Sequence, residues 1–322
     1  MIITRTPFRI SFTGGGTDLP EYYKKHGGAV VSSGINKYMY ITVNPKFDNR
    51  LRVSYSKTEI VDNAEELQHD IVKEALKLVG IKGGIEITSI GDIPAGTGLG
   101  SSSTFAVGLL NALYTFIGTR PSAEDLAEQA CYIEIEVLKH PIGKQDQYAA
   151  AFGGTNYFRF NEDGSVDRTR IFLDEKNARF MRQRLMLFYT GITRSADEVL
   201  SEQRSKTDIN MPILDFMAAQ AGQMRDVLLN EGFNEKFGQM LHEGWMHKME
   251  LADGIANDEI RAHYNRAIEA GAVGGKLLGA GGGGFLLFYC DEEKQSDVER
   301  AVGLRRVDFH PELNGTRVIY YS

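Results

Sequence analysis

The segment PAGTGLGSSSTF, residues 94–105, carries small residues and hydroxyls into the start of an apolar helix. A strand expected over residues 85–90 delivers it. Free N–H groups and the helix dipole at such a point attract an anion such as a phosphate, and glycine lets the backbone come close. The segment is not a Walker loop, because that motif needs a lysine before the hydroxyl residue and here Gly100 is followed directly by Ser101, Ser102 and Ser103. Charge must be neutralised from elsewhere. The same residues also fit a helix capped by serine after a flexible turn. A second segment, RISFTGGGTDLP, ends a strand in Gly14, Gly15 and Gly16, with Thr17 and Asp18 following: an acid beside close-approach backbone, or a plain tight turn. A third, KLLGAGGGGFLLFYC, places five glycines within residues 279–284, able to fold over a ligand or to form a flexible hairpin.

Two carboxylates add to this. A helix opens at Ser122, with Asp125 placed to support it as N-cap. Projected at about 100° per residue, Leu126, Ala127, Ala130, Cys131, Ile133, Val137 and Leu138 form one apolar stripe. Glu134 falls inside the stripe, whereas Glu124, Asp125, Glu128 and Glu136 fall outside. A carboxylate facing a core is costly unless a cation or hydrogen bonds meet it. An internal salt bridge would meet it; so would Mg²⁺, which takes one or two protein ligands besides phosphate oxygens and water. The ion would also supply the charge missing from the lysine-free loop. Asp146, in HPIGKQDQYAAAFGG, follows the helix-ending Pro141 and Gly143 where a turn brings it over the same place. It is a candidate general base or orienting carboxylate, or else a solvated loop acid. His140 reads as structural.

The elements that must position these residues alternate strands and helices. Strands are expected over residues 2–12, 29–43, 51–55 and 84–90, with helices over 62–79, 101–117 and from 122. The pattern changes near residue 175, which divides the chain into domains 1–175 and 176–322. The second has a strand at 184–189, helical stretches over 195–230, 233–251 and 258–271, and strands at 285–289 and 316–321. A chain of 322 residues suits two domains. With 42% hydrophobic and 25% charged residues it is an ordinary globular protein. A formal charge of −7 without any basic run argues against a nucleic-acid partner. No apolar stretch suits a signal peptide or membrane span, so a cytoplasmic protein without a membrane partner is expected. Cys131 and Cys290 read as reduced, structural thiols.

PFRISFTGGGTD, PAGTGLGSSS and KLLGAGGGGFLL resemble, in order and spacing, the three signature motifs of the GHMP kinases, with GKQDQY between the second and third. The resemblance runs from near residue 5 to near 290. RISFTGGGTDLPEYYKKHGGAVVSSGINKY, HPIGKQDQYAAAFGG and FYTGITRS look most like the members that phosphorylate D-glycero-D-manno-heptose 7-phosphate. The resemblance implies an α+β, two-domain GHMP kinase fold, with a ribosomal protein S5 domain 2-like N-terminal domain, a ferredoxin-like C-terminal domain and the site between them.

It also implies roles. ATP would lie on Pro94, Gly96, Gly98, Leu99, Gly100, Ser101, Ser102 and Ser103. Ser102 and Glu134 would hold Mg²⁺. Asp146 would be the catalytic acid–base group with Arg9 beside it. Gly15, Gly16, Thr17, Asp18, Gly281 and Gly282 would face a small-molecule sugar phosphate. That phosphate needs cations, for which Arg194, Lys144 and Lys37 are the candidates. Galactokinase has a glutamate and a histidine where Gly15 and Gly16 stand, which counts against a galactose pocket. The rival readings are a kinase for a free sugar such as fucose or galactose, a nicotinamide-dependent oxidoreductase using residues 14–16 as a Rossmann loop, and a silent ATP-binding protein. Pro20 and the missing βαβ context weigh against the oxidoreductase.

Overall fold

The computed structural model describes residues 1–193 and 196–322. Its first half runs β1 (Ile2–Thr13), α1 (Pro20–His26), β2 (Gly28–Pro45), β3 (Leu51–Ser54), β4 (Thr58–Val61), α2 (Asp70–Val79), β5 (Ile85–Gly91), α3 (Ser101–Phe116), α4 (Ala123–Cys131), α5 (Gln145–Phe152), β6 (Thr155–Phe160) and β7 (Val166–Ile171). The second half runs α6 (Glu175–Arg184), β8 (Leu185–Tyr189), α7 (Ala196–Ser205), α8 (Met211–Asn230), α9 (Glu235–Met249), α10 (Asp258–Glu269), β9 (Gly274–Leu277), β10 (Phe285–Tyr289), α11 (Gln295–Val302), β11 (Arg305–Arg306) and β12 (Arg317–Tyr321).

The strands form two sheets. The larger has the order β12-β1-β2-β5-β3-β4, with β6 on β2 and β7 on β6. Its neighbours are antiparallel except β3 and β5. In particular β1 and β2 are antiparallel, so the glycines between them are not the turn of a βαβ unit, and the Rossmann alternative lapses. The smaller sheet has the order β11-β8-β10-β9, all antiparallel, the order of a ferredoxin-like βαββαβ unit.

Burial along β1 follows the layers. Its first four residues alternate buried and half-buried, while everything from Thr6 on is buried on both faces. There Phe8, Ile10 and Phe12 join Leu185, Leu187, Phe237, Phe285 and Leu287 in a core that runs between the two halves. A separate core lies between the larger sheet and α2 to α5, with Val107, Leu110 and Leu113 of α3 at its centre.

Three expectations need correction. The helix expected over 195–230 is two helices: Pro212 sits in the first turn of α8, where its missing N–H costs nothing, and the Asn210 amide donates to the Leu251 carbonyl (2.8 Å). Residue 195 lies outside the described residues. The helix expected from residue 62 starts at Asp70, after a short 3₁₀ turn capped by Asn63. The last strand, placed with the second domain, pairs antiparallel with β1 and edges the larger sheet.

The segment leading into β12 passes close under α5. Thr316 N–H donates to Ala150 O (3.0 Å), and a Cβ on Gly315 would lie 1.8 Å from the Ala151 oxygen. Gly315→Ala should therefore destabilise the protein by ~1–3 kcal/mol, the usual cost of overpacking. Urea unfolding measures this, and an unchanged midpoint would contradict the tight passage.

Candidate active site

A cavity of about 570 Å³ opens between the halves. Gly96, Gly98, Gly100, Ser101, Ser102 and Ser103 line its middle. Gly100 caps α3 in the left-handed conformation and no side chain caps the helix, so the serine-cap alternative does not hold and the first-turn amides stay free for an anion. At one end stand Met39, Ile71 and Phe105, with the His69 ring stacked on Phe105 at 4.8 Å and Tyr55 edge-on to His69. Burial pushes the His69 pKa down, so this end is aromatic and uncharged. At the other end stand Arg9, Asp18, Asp146, Lys248 and Lys276.

Arg9 lies on β1 at a register shift, where a bulge re-aims side chains, and is 3% exposed. Its guanidinium grips Asp146 with both arms: Nε donates to Oδ1 (2.7 Å) and Nη2 to Oδ2 (2.8 Å). Its Nη1 donates to the Gly98 carbonyl (2.7 Å), and its backbone N–H to Leu99 O (3.2 Å). One side chain thus joins β1, the glycine–serine loop and α5. Asp146 sits in the first turn of α5 and is no solvated loop acid. The third glycine segment packs on this junction. Gly98 and Gly279 both have left-handed φ, and a Cβ on Gly279 would lie 2.3 Å from the Gly98 Cα.

Asp18 is buried. Its carboxylate accepts from the Gly16 amide (3.0 Å), the Gln145 amide (3.2 Å) and the Gln145 side chain (3.3 Å). Burial, then the charge of Asp146, pushes its pKa up.

Several expected residues are elsewhere. Thr17 is structural, its hydroxyl donating to Gly14 O and Ala29 O. Pro94 and Leu99 do not line the cavity: Pro94 O accepts from the Thr97 hydroxyl, and Leu99 is in the core between the halves. Gly281 lines the cavity, but Gly282 gives its amide to Ile255 O (2.9 Å). Lys144 turns away, its amine donating to Gly164 O at the β6–β7 turn and lying over the Tyr23 ring. Lys37 does not line the cavity, and Arg194 lies outside the described residues.

The cavity's two lysines, Lys248 and Lys276, are not singled out by the sequence reading, nor are Ser11 and Gln145, and His140, read there as structural, lines the cavity as well. Lys248 was within reach of the projection that found Glu134, because it shares the buried face of α9 with Phe237, Leu241 and Trp245. The Ser11 hydroxyl and Gln145 Oε1 are buried, line the cavity and have no hydrogen-bond partner among the described residues. Isolated Ser and Gln give no sequence signal of that kind.

Residues 52–154 match the GHMP kinases N terminal domain and residues 227–306 the GHMP kinases C terminal domain. The chain is 30% identical over 318 residues to the D-glycero-alpha-D-manno-heptose 7-phosphate kinase of Campylobacter jejuni, covering 94% of this chain and 93% of that one. This chain belongs to the GHMP kinases. The kinase is thus an enzyme that transfers a phosphoryl group to an alcohol. It is also 30% identical over 271 residues to a mevalonate kinase of Thermococcus onnurineus, covering 78% of this chain and 76% of that one. Its fold matches a D-glycero-D-manno-heptose 1-phosphate kinase from Bacteroides thetaiotaomicron, with a TM-score of 0.83, 24% identity and full coverage of both chains. Among the kinase's described residues no helix is long and apolar enough to cross a membrane.

Glu134 of the kinase is fully buried, as the stripe requires, but the helix around it is not regular. Residues Tyr132–Val137 form a π-turn, closed by Leu138 N–H to Ile133 O (2.9 Å). The wider turn rotates the face, so Val137, expected in the stripe, is exposed. The Ser122–Asp125 capping box is present. The Glu134 carboxylate accepts from the Ser102 hydroxyl (2.6 Å) and the Gln147 amide (2.8 Å). No Lys or Arg of the described residues pairs with it, so the internal salt bridge is not what meets this charge. A buried carboxylate paired only with neutral donors, one of them the Ser102 hydroxyl in the first turn of α3 at the cavity, fits the donor set of Mg²⁺. Among the described residues no cluster of three His, Cys, Asp or Glu competes for a metal.

Burial pushes the Glu134 carboxyl up from its ordinary 4.5, against hydrogen bonds from Ser102, Ser103 and Gln147. The folded state therefore keeps a proton that the unfolded chain releases, and stability falls as pH rises through that window. In Mg²⁺-free buffer at pH 7 to 8, Glu134→Gln should melt above wild type. Mg²⁺ with ADP should raise the melting temperature of wild type more than that of the variant. Identical melting of the two proteins in both buffers would contradict the uncompensated carboxylate.

Proposed function

We propose that this kinase transfers the γ-phosphoryl group of ATP to the anomeric hydroxyl of a sugar phosphate, D-glycero-D-manno-heptose 7-phosphate, to give the 1,7-bisphosphate. The observation that carries the reading is the division of one cavity into an uncharged aromatic end and a charged end, with the free amides of α3 between them. On this reading the base lies against Met39, Ile71 and Phe105, and the phosphates lie along Gly96, Gly98, Gly100 and Ser101 to Ser103. The acceptor occupies the charged end. Residues 1–175 then form the nucleotide side. Residues 176–322, less the returning β12, close the acceptor side.

The acceptor oxygen attacks the γ-phosphorus in line, the bond from phosphorus to the β,γ-bridging oxygen breaks, and ADP leaves. Asp146 orients the attacking hydroxyl and takes its proton, while Arg9 fixes the carboxylate by two hydrogen bonds. The amides at the start of α3 hold the phosphate oxygens. Ser102 and Glu134 would hold Mg²⁺, which when bound supplies positive charge to those oxygens. Positioning and electrostatics carry most of such a transfer. Ser11 Oγ and Gln145 Oε1, unpartnered in a polar wall, suit the hydroxyls of a sugar. The heptose phosphate is favoured because the Campylobacter jejuni relative, similar along nearly its whole length, bears that substrate in its name.

A coupled ADP-release assay with Mg-ATP against this heptose phosphate, fucose, galactose, mannose and mevalonate tests the reading. Turnover on the heptose phosphate, with the new phosphate at C1, is expected; turnover on a free sugar alone would overturn the substrate. Asp146→Asn should lower kcat by ~10² to 10⁴, the usual worth of a positioned general base, with ATP affinity little changed. An unaltered kcat would remove Asp146 from that role.

A further inference from the structure

Two buried cations of the cavity have no role so far. Lys248 and Lys276 are 5% and 4% exposed, and both line the charged end. α9 gives a core position to Lys248, on the face it buries with Phe237, Leu241 and Trp245. A buried ammonium is costly unless something meets its charge. The Lys248 amine donates to the Gly279 carbonyl, and among the described residues no carboxylate makes an ion pair with it. Gly279 is the residue packed on Gly98 of the glycine–serine loop, and Gly98 O accepts from the same Arg9 that grips Asp146. The ammonium, the loop, Arg9 and the expected base therefore meet at one junction, where donor and acceptor must also meet.

Lys276 sits behind it, its amine donating to Phe12 O (3.0 Å). Burial, then the charges of Lys248 and Arg9, push the Lys276 amine well down. Burial and Arg9 bring Lys248 down to about 8, against the opposing charges of Asp18 and Asp146. Lys248 is thus the less shifted of the two, and the one that keeps its proton to the higher pH.

We propose that Lys248 is a catalytic residue of this kinase: its ammonium contacts the γ-phosphoryl group during transfer and supplies the positive charge that the lysine-free loop cannot. The inference rests on the phosphates of ATP lying along residues 96–103, and not on which alcohol accepts the phosphoryl group. Bonds form and break as in the transfer above. The hydroxyl proton goes to Asp146, and Lys248 keeps its own. The charge that a Walker lysine brings from within the loop comes here from α9, across the interface between the halves.

Lys248→Met and Lys248→Gln test this, with melting curves to establish that each folds. Measured with the acceptor that the panel assay identifies, kcat should fall ~10² to 10³, the usual loss for one charge-stabilising group. KM for both substrates should stay within about threefold. A second readout needs no acceptor: wild type should bind ADP with Mg²⁺ and aluminium fluoride, which mimics a phosphoryl group in transfer, at least ~10-fold tighter than ADP alone. The variants should lose that gain while keeping ADP affinity. Because this readout involves no sugar, a wrong acceptor leaves it intact. Retention of the aluminium fluoride gain in folded variants would overturn the proposal. So would a raised KM for a phosphorylated acceptor at unchanged kcat, which would put Lys248 on the acceptor's own phosphate.

Discussion

The guanidinium of Arg9, almost free of water, makes two hydrogen bonds to Asp146 and one to the carbonyl of Gly98. A charge so placed is tolerated only because the opposite charge meets it in bidentate geometry, and removing one partner of such a pair usually costs about 3–5 kcal/mol. Three chain segments, two of them more than 80 positions along the chain from Arg9, are registered by that one side chain. β1 supplies it, the glycine–serine loop accepts from it, and α5 presents the carboxylate. Everything else in the cavity is arranged about this fixed point.

The glycines follow from the same constraint. Two loops, one from each half of the chain, must meet backbone to backbone beside Arg9, and the Gly98–Gly279 approach leaves no room for a Cβ. That contact, together with the apolar core shared by β1 and the smaller sheet, ties the halves at the cavity. The returning β12 adds a second tie on the far edge of β1, and its leading segment braces the C-terminal end of the helix whose first turn holds Asp146. An electrostatic site built from fixed groups needs such bracing, because the groups must already point at the charge that develops during transfer.

Much of this was legible in the sequence because it rests on short-range rules. The glycine motifs mark backbone that no Cβ may crowd. The capping box at Ser122 fixes where α4 begins, and the helical projection put Glu134 in the core. What was not legible depends on long-range placement. The π-turn after Cys131 breaks the 3.6 period, and nothing in YIEIEV announces it. Lys144, two positions from Asp146, was expected at the substrate, but on a helix start that spacing turns it away, toward Gly164. Lys248 and Lys276 come from parts of the chain more than 90 positions from any carboxylate of the site. Only the packing of the smaller sheet and α9 on β1 brings them in.

The most direct test of the central claim is a double-mutant cycle between Arg9 and Asp146, comparing kcat/KM of Arg9→Met, Asp146→Asn and the double variant. If the two act as one unit, the double variant should lose little more than the worse single variant, a coupling of at least ~1 kcal/mol. Additive losses would mean that the two residues contribute independently, and the account of a single fixed point organising the site would be wrong.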